Sequence, residues 1–101
     1  MNDHGTLLDV TVTGDGLRLA GEIDAASSVA LSADLDPLPV GHRIVLDLAA
    51  VTFIDSSGLR VLIDAHRRAE ADGRMLVIAN PSPPVTRLFE ISGLTNHLHV
   101  E

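Results

Sequence analysis

The sequence predicts a single α/β domain of order β-β-α-β-α-β-α-β, with a mainly parallel sheet and helices packed against it. Three observations carry that expectation. Two alternating apolar segments joined by Gly14-Asp15-Gly16 open the chain as a hairpin. Two nearly unbroken apolar runs, Ile44-Val45-Leu46-Asp47-Leu48 and Met75-Leu76-Val77-Ile78-Ala79, read as buried strands. Segments of helical periodicity precede, separate and follow them. Strands that alternate with helices are joined by crossovers, and crossovers make neighbouring strands parallel.

In the hairpin, Leu8, Val10 and Val12 alternate with Asp9, Thr11 and Thr13, and after the turn Leu17 and Leu19 flank Arg18. Period-two alternation is the mark of a half-buried strand. Asp24, after Gly21-Glu22-Ile23, can cap a helix that carries Leu31 and Leu35 on one face and must stop near Pro37. The run at 44–48 is expected to be a central strand covered on both faces. Beyond it, Leu62, Ile63, His66 and Ala69 recur at helical spacing from Leu59, with Arg60, Asp64, Arg67, Arg68 and Ala71 on the other side. Arg60 with Asp64, and Asp64 with Arg68, are i,i+4 pairs of opposite charge, and Asp72-Gly73 supplies the stop. After the run at 75–79, Ser82 is the expected cap of a third helix with proline at its first position, Val85, Leu88 and Phe89 on its inner face and Gly93 at its end. His97-Leu98-His99-Val100 is expected as a short last strand.

Composition narrows the function. A chain of 101 residues with 46% hydrophobic content suits one domain, residues 1–101, around one core. It has no cysteine, which removes disulfides, thiolate metal sites and thiol catalysis. Fourteen acidic against seven basic residues, all arginine, leave a net charge of −7, which opposes binding to nucleic acid or anionic membranes. Only Phe53 and Phe89 are aromatic, so stacking platforms for single strands are lacking. No charged-then-apolar leader opens the sequence and no apolar run could span a bilayer, so a cytoplasmic location is expected. A protein or small-molecule partner fits best, with a monomer expected when free.

The most informative segment is Val51-Thr52-Phe53-Ile54-Asp55-Ser56-Ser57-Gly58-Leu59, where an apolar stretch turns into an amphipathic helix. A helix N-terminus has unpaired N–H groups and a partial positive charge, and so accommodates an added anion such as a phosphoserine. Helix capping by Asp or Ser is the plain alternative. Capping accounts for one polar residue better than for three, and no Glu or Gln follows at the spacing of a capping box. Gly58, in the first helical turn, costs roughly 0.5–1 kcal/mol relative to alanine. Close approach of another backbone is one reason to keep it.

Gly21-Glu22-Ile23-Asp24, Val45-Leu46-Asp47-Leu48 leading into Phe53-Ile54-Asp55-Ser56-Ser57-Gly58-Leu59, and Arg87-Leu88-Phe89-Glu90-Ile91-Ser92-Gly93-Leu94 together resemble the STAS domain, most closely the bacterial anti-sigma factor antagonists. The resemblance runs from the first strand to the last. It implies a regulatory protein without catalytic activity or cofactor. In that family the unphosphorylated antagonist binds an anti-sigma factor that is also a serine kinase, phosphorylation breaks the complex, and a serine phosphatase resets it. The family acceptor maps onto Ser56. Asp24, Asp55, Ser56, Ser57, Gly58 and Arg60 are the implied partner-binding residues, with Arg60 and also Asp64 weaker candidates and helix capping an equal reading of Asp24.

Other readings fare less well. A hydrolase elbow needs Gly two residues before its serine, and Ile54 and Asp55 stand there instead. His97 and His99 would share one side of a strand, but a metal site needs a third ligand that the sequence does not display, so none is expected. A phosphate loop is missing, and there is no lysine. The main alternative is a STAS scaffold or regulatory subunit of a transporter, including the lipid-transport type, with no phosphorylation cycle.

Overall fold

The structure, a computed structural model, describes residues 7–101. Its elements follow the expected order: β1 (Leu8–Val12), β2 (Gly16–Ile23), α1 (Ala25–Leu35), β3 (Arg43–Ile54), α2 (Ser56–Ala71), β4 (Met75–Ala79), α3 (Pro83–Ser92) and β5 (His99–Val100). The strands lie side by side in chain order, β1-β2-β3-β4-β5. Only the hairpin pair is antiparallel, in a register that sets Leu8 against Gly21 and Val12 against Leu17, and β2, β3, β4 and β5 pair in parallel.

Helices α1 and α2 pack on each other, α1 also against β2, α2 against β3 and β4, and α3 against β3. Leu31 and Leu35 of α1, Leu62, Ala65 and Ala69 of α2, and Val85 and Phe89 of α3 meet Leu19, Ile44, Leu46, Leu48, Leu76 and Ile78 of the sheet in one buried cluster. The helical periods read from the sequence are therefore those of the core, whereas of the alternating Leu8, Val10 and Val12 only Leu8 is buried and Val12 is 80% exposed. Helix ends also fall as expected: Gly73 and Gly93 take positive φ after α2 and α3, where a residue with a Cβ is strained.

Five expectations are corrected. β3 runs twelve residues instead of ending at Leu48, and shifts register twice against β2. Such irregularities bend and twist a strand, and the second half of β3 reaches the site described below. This strand is not covered on both faces: Ile44, Leu46 and Leu48 are buried, whereas Val45 and Asp47 between them are only half-buried. Asp47 keeps access to water because a carboxylate is costly to bury, and it faces Arg18 across the sheet with Nε to Oδ2 at 3.6 Å. Phe53 is 45% exposed and not part of a buried run. Ser82 occupies the cap position of α3 but makes no capping bond: Pro84 removes the N–H of the second helical residue, and the buried Ser82 hydroxyl makes no bond to that of Val85. The last strand is limited to His99 and Val100, since the His97 N–H closes a turn onto the Leu94 carbonyl at 2.9 Å.

Candidate functional site

The serine segment lies at the start of α2, and its polar residues divide the work. Asp55 is the cap: extended at φ −120° and ψ −171°, it accepts from the Ser57 N–H at 2.9 Å and the Gly58 N–H at 3.3 Å through one carboxylate oxygen. Ser56, the first helical residue, is exposed, and its hydroxyl makes no hydrogen bond to the described residues. Ser57 is half-buried beside it. Capping therefore accounts for Asp55 and leaves the Ser56 hydroxyl to solvent.

A second contact fixes the segment to the sheet. The Asp55 N–H donates to the Ile23 carbonyl at 3.2 Å, continuing the β2–β3 pairing one step past the register pair of Ile23 and Ile54. Gly58 is buried against the same residue: a Cβ there would stand 2.4 Å from Ile23 Cγ2 and 3.0 Å from the Ile23 carbonyl oxygen. The glycine suspected of admitting another backbone does so at the end of β2. It is buried there and positions the segment from beneath.

Asp24 follows Ile23 as Asp55 follows Ile54, so the caps of α1 and α2 stand at the ends of adjacent parallel strands. In α1 the capping box is complete. Asp24 accepts from the Ser27 N–H at 3.0 Å, its own N–H donates to Ser27 Oγ at 2.9 Å, and Ser27 Oγ donates to the Glu22 carbonyl at 2.7 Å. The sequence offered no Glu or Gln for this role, and a buried serine fills it. Gly21 has φ +110° and its Cα faces the Leu7 carbonyl, where a Cβ would come within 1.9 Å, so only glycine lets β2 pass there.

The Ser27 backbone N–H, foremost among the groups around it, holds the Asp24 carboxyl below its ordinary value of 3.8. A carboxylate with a lowered folded pKa stabilises the fold above its unfolded pKa, and that contribution is lost as pH falls through the lower folded value. Asp24→Asn is expected to flatten the acid limb of a plot of melting temperature against pH below about 4, with little effect on its slope near neutrality. Equal acid slopes for variant and native chains would remove Asp24 from the account.

Two shallow depressions flank the serines. One runs along α2 past Ser56, Arg60, Ile63, Asp64 and Arg67, and the other lies between the helices past Ser28, Val29, Ser57 and Arg60. Arg60 borders both. Of the two expected charge pairs only Asp64 with Arg68 forms, at 3.0 Å, which leaves Arg60 without an ion pair among the described residues. Sequence reasoning missed two exposed apolar side chains near the serines, Phe53 and the 71% exposed Val29. The apolar segment that holds Phe53 reads as buried, and its side chain is exposed next to a register shift between β2 and β3.

No histidine hydrogen-bonds Ser56 or Ser57 among the described residues. His66, ten positions further along the same helix, is about 15 Å up its axis. A nucleophile with its base is not assembled here.

A family model described as "Mlab, STAS domain" matches residues 7–100. The chain belongs to the STAS family. This STAS domain is 35% identical over 85 residues to the anti-sigma-B factor antagonist of Listeria monocytogenes, covering 82% of the chain and 75% of that relative. Against the anti-sigma-B factor antagonist of Bacillus subtilis the identity is 33% over 85 residues, with 83% and 78% covered. Among solved structures, the anti-sigma factor antagonist SpoIIAA in its unphosphorylated form superposes with a TM-score of 0.71 at 25% identity, over 93% of the chain and 87% of its own. The STAS domain of the SulP transporter from Vibrio cholerae shares the fold, with a TM-score of 0.62 at 17% identity over 82% of this chain and 68% of that one. The named antagonists are regulators and not enzymes, in agreement with a non-catalytic chain. Among the described residues no helix is long and apolar enough to cross a membrane.

Proposed function

We propose that this STAS domain is an anti-sigma factor antagonist that works by partner switching. Unphosphorylated, it binds an anti-sigma factor that is also a serine kinase; phosphorylated on Ser56, it lets that partner go; a serine phosphatase restores it, all in the cytoplasm. The observation that carries this reading is the exposed, unbonded hydroxyl of Ser56 on the first residue of α2. A phosphate there would sit at the positive end of the helix and one turn from Arg60, whose guanidinium is unpaired among the described residues. The fold would accommodate it. A partner in close contact would not, because the phosphate brings about −1.5 to −2 charge next to the Asp55 carboxylate.

The partner surface extends over Asp24, Asp55, Ser56, Ser57 and Arg60, with Val29 and Phe53 supplying apolar contact. Exposed apolar side chains beside polar ones are what a transient interface needs at its centre. Named relatives that are anti-sigma factor antagonists support the same role.

A second reading has its own support in the description of the matching family model and in the transporter domain of the same fold. There the surface would dock permanently on a transporter subunit, and Ser56 would stay unmodified.

Phosphosite mapping on protein from its own cells, in growth and under stress, separates the two. Trypsin cuts after Arg43 and Arg60 and releases residues 44–60 as one peptide that carries both serines. Occupancy on Ser56 that changes with condition is the expected result. A peptide unmodified in every condition, together with a transporter subunit that co-purifies, would replace the switch with the scaffold.

A further inference from the structure

His66, Glu70 and His99 come together at the far end of α2 from the serines. His66 and Glu70 are one helical turn apart, and β5 brings His99 against both. His66 Nε2 is 3.4 Å from one Glu70 carboxylate oxygen, His99 Nε2 is 3.9 Å from the other, and the two imidazole rings meet edge to face at 5.4 Å between centroids. One ligand atom from each residue can be chosen so that all lie within 4.8 Å of one another.

We propose that these three side chains bind a divalent transition-metal ion of the zinc type. Two imidazoles and a carboxylate are the donor set such an ion prefers, and three protein ligands leave a fourth position for solvent. A tetrahedral ion with bonds of about 2.0–2.1 Å holds its ligand atoms about 3.4 Å apart. The His66–Glu70 separation already has that value. Glu70 and His99 are exposed, so small rotations of their side chains close the remaining gaps.

His66 is the fixed member. Its side chain is 8% exposed, yet Nδ1 has no hydrogen-bond partner among the described residues. Only Glu70 and the His99 ring engage this imidazole; ligation through Nε2 moves its proton to the buried, unpartnered Nδ1, a cost that the bound ion must offset. A depression lined by His66, Glu70, His97 and Arg67 gives solvent a way in. Arg67 is the one cation on that rim and lowers the affinity, while the net charge of −7 favours cations generally. Because an imidazole ligates only in its neutral form, acid competes with the metal.

The sequence pointed only to His97 with His99. The turn at 94–97 takes His97 off the strand, and α2 supplies the missing donors, His66 and Glu70, from far back in the sequence.

The test uses the untagged full chain and Zn²⁺ or Co²⁺ alone. One equivalent of Co²⁺ is expected to give the intense visible bands of a four-coordinate site. Saturating Zn²⁺, at about a hundredfold over its dissociation constant, is expected to raise the melting temperature by on the order of 10 °C. His99→Ala and Glu70→Gln, both at exposed positions that leave the fold intact by circular dichroism, should each weaken binding at least about tenfold and abolish the Co²⁺ bands. Native chain that binds either ion no more tightly than His99→Ala, or that shows only six-coordinate Co²⁺ spectra, overturns the site. Phosphorylation of Ser56 plays no part in these readouts.

Discussion

Ser56→Glu is expected to weaken binding to the cognate anti-sigma factor about a hundredfold, which is within the cost of leaving a charge unpaired in a desolvated contact. The melting temperature should stay within about 4 °C of the native value, since the side chain is exposed and a carboxylate at the first helical position is favoured by the helix dipole. The second carboxylate next to Asp55 carries the effect. Ser56→Ala should keep native affinity and accept no phosphate at that residue. The discriminating comparison is titration of the partner against all three proteins alongside their melting curves. If Ser56→Glu and Ser56→Ala lose affinity equally, the hydroxyl itself is the contact and charge repulsion is not the mechanism. A large loss of melting temperature in both would make Ser56 structural.

Gly58→Ala is expected to destabilise the fold by about 1–3 kcal/mol, a fall in melting temperature on the order of 10 °C. In an open helix the same change would stabilise by up to about 1 kcal/mol through helix propensity. Here overlap wins, because the new Cβ would lie 2.4 Å from Ile23 Cγ2 and 3.0 Å from the Ile23 carbonyl oxygen, one a branched side-chain atom on a buried strand and the other backbone. The pair can be tested as a cycle. In an Ile23→Ala background, where Cγ2 is gone, the cost of Gly58→Ala should shrink. A cost unchanged by Ile23→Ala would place the strain on the Ile23 Cβ and carbonyl oxygen, both 3.0 Å from the new Cβ and both kept in that background.

Much of this architecture was legible because hydrophobic period and turn chemistry agree along the chain. Leu31, Leu35, Leu62 and Ala69 declare helix faces, and Gly14-Asp15-Gly16, Asp72-Gly73 and Gly93 mark the boundaries. What was not legible depends on partners distant in sequence. Phe53 reads as interior because apolar neighbours surround it, and the register shift next to it is a property of two strands together. Ser27 looks like an ordinary helical serine until its hydroxyl is seen bridging Asp24 and the Glu22 carbonyl. Arg60 was equally placed to pair with Asp64 as Arg68 was, and Arg68 also donates to the Asp36 carbonyl, which draws Asp64 to its side. For the serine segment, spacing alone left capping and modification as rivals. Geometry assigns the cap to Asp55 and leaves an uncommitted hydroxyl beside it.

The clamp between the Asp55 N–H and the Ile23 carbonyl bears on how a kinase would have to meet Ser56 in the proposed switch. Many kinases draw their target out as an extended peptide and read its neighbours one by one. Ser56 cannot be extended without breaking that clamp, the Asp55 cap and the first turn of α2. An enzyme that modifies it must therefore recognise a finished surface assembled from β2, α1 and α2, and a loose peptide of residues 51–61 would be a poor substitute. In the proposed switch, phosphorylation would then be a reading of the folded state: chains that have misfolded or partly opened would escape the kinase, and only competent antagonists would enter the cycle.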